Sequence, residues 1–249
     1  ALANRTYGVL DQDSNTQELA GMIQATFQQK LGAAPHLIIC RLHRSKMDAN
    51  REIVEATQGG RGAEQAWRDW QGFIIKAKAV VQKQFGTGLY IDLHGQRHKE
   101  ARVELGYMIG ADKLRLDDAA LERSSLLIRQ SSIRELDQRS PASFVELLRG
   151  SSSLGGLLQA RGFASVPSPA FPAPKEDEQY FRGGFNTDTH GSRQGGPISA
   201  VQIECPWLGV RDTPANRAKF VDALTDVLPQ WFRAHFGIPL APKSNISSP

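Results

Sequence analysis

The chain has 249 residues, 40% hydrophobic and 22% charged, with a formal net charge of +4. That is a globular composition at a length one α/β domain can fill, and it excludes a disordered chain or a disulfide-stapled miniprotein. Lys and Arg are dispersed rather than gathered into a stripe, and no apolar run reaches 18 residues, so neither a nucleic-acid nor a membrane partner is expected.

The first element is "DSNTQELAGMIQATFQQKLG" (13–32). Ser14 and Gln17 have the spacing of a capping box, Leu19, Met22, Ile23, Phe27 and Leu31 share one helical face, and Gly32 offers a left-handed stop. "HLIICRL" (36–42) predicts a strand covered on both faces. A second long helix is expected over 62–86, with Ala63, Ala66, Trp67, Trp70, Phe73, Ile74, Ala77, Val81 and Phe85 as its buried stripe. "GLYIDLHG" (88–95) is the next strand and "RVELGYMIG" (102–110) a further one. Residues 118–161 read as mostly helical. Residues 163–196, rich in Pro, Gly and polar residues, form a loop of a length that usually carries function. "PISAVQIE" (197–204) is a strand, and 213–237 is the last helix, with Phe220, Leu224, Val227, Trp231 and Phe232 inward. Helix alternating with doubly buried strand argues for an α/β layer with mainly parallel pairing. Residues 1–237 are expected to form one domain and 238–249 a flexible tail. Cys40 and Cys205 read as buried thiols. The sequons at Asn4 and Asn245 lean towards a secreted over a cytoplasmic protein.

In open α/β sheets ligands bind at the carboxyl ends of the strands, and here several strand ends carry chemistry. After 36–40 come Arg41, His43, Arg44, Asp48, Asn50 and Arg51. After 89–91 come Asp92 and His94, and Glu204 closes 197–204. His94 reads either as a zinc ligand, with Asp92 fixing its tautomer as an outer-sphere partner, or as a hydrogen-bonded structural histidine. Glu204 reads either as a base acting on a metal-bound water or as half of a salt bridge. The arginines could clamp a substrate carboxylate or form a solvated loop. His98 and His190 lie in polar loops with access to ligand, whereas His36 and His235 read as structural.

"PHLIICRLHRSKMDANRE", "GLYIDLHG" with "ELGYMIG", "GGFNTDTHGSRQGG" and "VQIE", in that order, resemble the N-formylglutamate amidohydrolase family, in its less characterised branch, over Arg5 to Phe236. The resemblance implies a three-layer α/β fold of the zinc-exopeptidase or phosphorylase/hydrolase kind, with a mixed, mostly parallel sheet between helices. It implies hydrolysis of an amide C–N bond with zinc as cofactor. By position, His94 and Asp13 match metal ligands and Glu204 matches the catalytic carboxylate. Arg44, Asn50 and Arg51 match the polar substrate motif, and Asn186, His190 and Arg193 the glycine-rich substrate loop. The family carries one more histidine, in a "PHGG"-like motif on a strand before the first helix. That motif is not found here, so an N-terminal strand would be missing and a separate N-terminal fragment would have to supply it together with the third ligand.

Two readings follow. One is a zinc-dependent amidohydrolase acting on a small anionic N-acyl amino acid, such as an N-formyl one, or a peptide-like substrate. The other is a non-catalytic binding or structural protein on the same scaffold with an incomplete metal site.

Overall fold

The computed structural model describes residues 2–240; the expected tail beyond residue 240 and the sequon at Asn245 lie outside them. The chain folds as α/β, with a four-stranded, mixed, mostly parallel open sheet flanked by helices. The strands are β1 (Gly88–Gln96), β2 (Val103–Gly106), β3 (Ser165–Val166) and β4 (Ile198–Pro206), in the order β1–β4–β2–β3. β1 and β4 run parallel, as do β2 and β3, while β2 is antiparallel to β4. Helices α1 (Thr16–Leu31), α2 (Ile53–Thr57) and α3 (Arg61–Phe85) precede the sheet. Six short helices, α4 to α9, lie between residues 111 and 160, followed by α10 (Phe185–His190) and α11 (Pro214–Phe236).

All nine residues of β4 are buried. Val201, Ile203 and Cys205 join Leu105 of β2, Leu19 of α1 and Phe220, Leu224 and Trp231 of α11 in one core. Each such large apolar side chain contributes about 1.5–3 kcal/mol through burial. α1 packs on α11 and β1, α3 packs on β1, and α10 packs on β4 and β1. Both cysteines are free, Cys205 buried and Cys40 half-buried. Among the described residues no helix is long and apolar enough to cross a membrane.

Four local expectations are corrected. Residues 36–42 are not a strand. They run past α1, tethered by Gln24 Nε2 to the Pro35 carbonyl (3.1 Å) and Gln17 Nε2 to the Cys40 carbonyl (3.0 Å). Nor is the run covered on both faces: Leu37 to Cys40 are only half-buried and His36 and Arg41 are exposed, because no neighbouring backbone pairs with it and β1 is the sheet edge instead. The capping box does not form: Asn15 is the N-cap at φ 66°, without a side-chain cap bond, and its amide donates to the Arg211 carbonyl (2.9 Å). The strand expected over 102–110 is only four residues long, because Met108 turns to φ 64° and the chain leaves the sheet. Along α3, Ala63, Gln71 and Ile74 are buried, whereas Phe73 and Phe85 are exposed. α3 is covered where it meets β1, α2 and α10, and Phe73 and Phe85 lie off those contacts, so its apolar stripe is wider than its buried face.

Candidate active site

Parallel register places His94 opposite Glu204, and antiparallel register places Glu204 opposite Glu104. Directly opposed side chains share a sheet face, so His94, Glu204 and Glu104 form one row across β1, β4 and β2. Two residues earlier on β4 a second row runs Asp92, Gln202, Gly106 on that same face. Gly106 is required there because a Cβ would fall 2.5 Å from the Gly183 nitrogen, where the 182–184 loop crosses the sheet.

Glu204 is 5% exposed. Gln202 Nε2 donates to its Oε1 at 2.7 Å, while its Oε2 is buried with no partner, as is Gln202 Oε1. Burial raises the Glu204 carboxyl to about 7; His94 opposes this, and Asp13, Glu104 and Asp92 add to it. The result is a carboxylate near neutrality with one oxygen held and the other free to accept a proton, which is what a general base needs.

His94 has a carboxylate at each ring nitrogen. Nδ1 lies 2.8 Å from Asp13 Oδ2, which also accepts from the Gly95 N–H at 3.2 Å. Nε2 lies 3.3 Å from Asp92 Oδ2 and 3.2 Å from Asn50 Nδ2. Burial works against the charged imidazole, but Asp92, Asp13 and Glu204 more than reverse it, and the pKa sits well above the ordinary 6.5. Asp13 is shifted the opposite way: burial raises it, yet the bond from His94, the charges of His94 and Arg44 and the Gly95 N–H together hold it below its ordinary value. Asn50 is oriented by the Asn186 N–H, which donates to its Oδ1 at 3.0 Å. Its Nδ2 therefore points at His94 as a donor, and once Nε2 loses its proton that lone pair accepts from Asn50. Gly184 leaves room for this, since a Cβ there would overlap the Asn50 amide.

The strand ends are held by Arg211, which is 1% exposed. Its guanidinium donates to the carbonyls of Cys205 (2.9 Å), Gln96 (2.8 Å) and Ser14. It thereby ties β4, β1 and the loop bearing Asp13 together, and it fills the space that a side chain at Gly95 would need. A cleft of about 850 Å³ opens beside the row, bordered by Asp13, which bonds His94, and by Gly95, with His43, Arg97 and Asn15 on its walls; the side chains of the row itself lie behind it.

Zinc takes nitrogen and oxygen donors at about 2.0–2.2 Å, so two ligands on one tetrahedral ion stand about 3.4 Å apart. His94 Nε2 and Asp92 Oδ2, 3.3 Å apart, have that spacing; His94 Nδ1 and Asp13, at 2.8 Å, have the spacing of a hydrogen bond. Among the described residues no three His, Cys, Asp or Glu side chains converge as a metal-binding group. The donor set fits two zinc ligands and stops there.

Of the residues singled out from the sequence, Asp13, Asn50, Asp92, His94 and Glu204 meet at this face. Arg44 borders it, 3.8 Å from Asp13 and 3.2 Å from Asp48. Arg51 pairs with Glu55 (3.2 Å), and Arg193 pairs with Asp188 (2.8 Å). Asn186 and His190 are buried behind the row. Each bonds Gln71 of α3, at 3.1 and 2.7 Å, and burial together with Lys78 lowers the His190 pKa to about 4. Sequence reasoning missed Glu104, Gln202 and Arg211. Glu104 lies in a fully buried short strand with no alternation to mark it, and Gln202 could have been found as the same-face neighbour of Glu204. Arg211 had one signal, a glycine directly after His94.

No family model, curated protein or solved structure matches this chain.

Proposed function

We propose that the chain is a metal-dependent amidohydrolase that cleaves the amide C–N bond of an N-acyl amino acid, such as an N-formyl one, or of a peptide-like anionic substrate. On this reading its α/β fold is of the zinc-exopeptidase-like kind. The observation that carries the reading is the buried Glu204, with one oxygen clamped by Gln202 and the other unpartnered, in register beside His94. A buried carboxylate costs stability unless it is paired or at work, and Glu204 has no cationic partner among the described ion pairs.

Glu204 Oε2 is sealed in the unliganded fold; once water is admitted beside a bound substrate it takes a proton from that water, and its near-neutral pKa lets it give the proton up again. Zinc, when bound, supplies Lewis-acid polarisation of the substrate carbonyl. His94 Nε2 and one of its two carboxylates, Asp92 by spacing, would hold it, with Asp13 orienting the ring through Nδ1. These are two ligands, and a catalytic zinc site of the usual kind would need a third. Arg44 stands closest to Asp13 of the arginines first considered for the substrate carboxylate.

The test is zinc titration by calorimetry alongside turnover of N-acyl amino acids. Saturable binding that is lost in His94→Ala, and turnover that is lost in Glu204→Gln with zinc still bound, support the reading. The absence of a three-ligand group among the described residues favours a second reading, a binding protein on the same scaffold. That reading predicts ligand binding without any turnover.

A further inference from the structure

The row does not end at Glu204. Beyond it stands Glu104, 3% exposed, with both oxygens engaged: Oε1 with His98 Nδ1 at 2.7 Å and Oε2 with the Phe181 N–H at 2.8 Å. Like charges directly opposed across an antiparallel pair are destabilising. A sheet that sets Glu104 against Glu204 in its buried middle therefore gives up stability at that pair, as functional sites do. A purely structural role would be served at lower cost by an apolar pair of similar volume. The arrangement is also symmetric about Glu204: a carboxylate–imidazole pair on one side (Asp13–His94, 2.8 Å) and another on the other (Glu104–His98, 2.7 Å).

His98 is a placed side chain. Its ring lies on Phe181, centroids 4.7 Å apart, and the backbone N–H of His98 donates to Gln96 Oε1 (2.6 Å). Glu104 accepts from Nδ1–H and so leaves Nε2 as the ring's outward nitrogen. Nε2 makes no hydrogen bond among the described residues, yet it is not among the sealed, unpartnered buried atoms. It is therefore open to an incoming group.

We infer that His98, held by Glu104, is a second catalytic residue, the general acid that protonates the leaving nitrogen. The inference rests on the amidohydrolase reading of the same site. Glu204 takes a proton from water as the C–O bond forms; the C–N bond breaks as the nitrogen takes the Nε2 proton of the His98 imidazolium, which is left neutral with its Nδ1–H on Glu104. The proton on Glu204 then restores His98, so water has been added across the amide with nothing left over. A positioned acid of this kind contributes about 10²–10⁴-fold.

The experiment compares wild type, His98→Gln and Glu104→Gln, as full chains with zinc present, on two substrates. One is N-formylglutamate, whose amine leaves only with a proton. The other is an N-formyl nitroaminobenzoate, whose weakly basic nitrogen departs with little proton transfer. His98→Gln is expected to slow the first about 10²–10³-fold and the second less than about tenfold. Glu104→Gln is expected to show the same selectivity in weaker form. Equal losses on both substrates would make His98 structural and overturn the inference while the hydrolase reading stands. Cleavage of neither substrate by wild type would overturn both. The ¹⁵N spectrum of His98 reads the dyad without turnover: an Nδ1–H signal that Glu104→Gln shifts supports it, and an unchanged signal refutes it.

Discussion

Replacing Glu204 by Gln should make the protein more stable as the pH rises, while removing its chemistry. The Glu204 carboxyl titrates at about 7 in the folded protein against an ordinary value of 4.5, burial being the main cause. Between those values the folded protein holds a proton that the unfolded chain has released. Wild-type stability therefore falls as pH rises from about 4.5 to about 7 and is level above that. Glutamine has no such proton. Integrating the linkage relation from pH 5 to pH 8 gives a relative gain for the variant of about 2–3 kcal/mol. Any fixed cost of the new amide is the same at both pH values and drops out of the comparison; His94, whose pKa Glu204 helps raise, titrates lower in the variant, which moves the difference in the same direction. The assay is urea unfolding of both at pH 5, 6, 7 and 8 with a chelator present, so that bound cations do not enter. A variant-minus-wild-type stability that stays flat within about 0.5 kcal/mol over this range would refute the reasoning, because it would show that folding leaves this carboxyl unperturbed.

Three further outcomes follow from the packing. Arg211→Leu removes charged donors from three carbonyls that join β1, β4 and the Asp13 loop; at about 1.5–3 kcal/mol per charged hydrogen bond, less what water restores at Ser14, the loss should be about 4 kcal/mol in urea unfolding, and a loss below about 1 kcal/mol would contradict the clamp. Gly95→Ala puts a methyl into the Arg211 guanidinium and should cost about 1–3 kcal/mol as overpacking; the double variant Gly95→Ala/Arg211→Leu should be less destabilised than the sum of the two, and strict additivity would show that they do not compete for space. Gln202→Leu frees Glu204 Oε1 and should lower kcat about 10-fold with little change in KM; a change in KM alone would place Gln202 in substrate binding.

The larger elements were legible because they are long and periodic. α1, α3 and α11 carry helical apolar spacing, β1 and β4 were read from short apolar runs bounded by turn residues, and the strand-end rule brought His94, Asp92 and Glu204 to one place. What could not be read was register. Nothing in "RVELG" says that it enters the sheet antiparallel beside β4, so Glu104 was invisible as the neighbour of Glu204. The run 36–42 has the composition of a strand but lacks a paired neighbour. Arg51, read as part of a substrate clamp, and Arg193, matched to the substrate loop, each pair with a carboxylate on their own segment, a contact that short sequence separation makes cheap to close. His190 faces α3, because a six-residue helix turns it inward.

The central claim is that Glu204 activates water for amide cleavage beside His94. Its most direct test is the rate of N-formylglutamate hydrolysis, with zinc supplied, by wild type and by Glu204→Gln at pH 8. The account predicts cleavage by wild type, with the variant slower by about 10³-fold or more while folded and still binding zinc. Equal rates, or no cleavage by a folded, zinc-bound wild type of this or any other N-acyl amino acid, would contradict it.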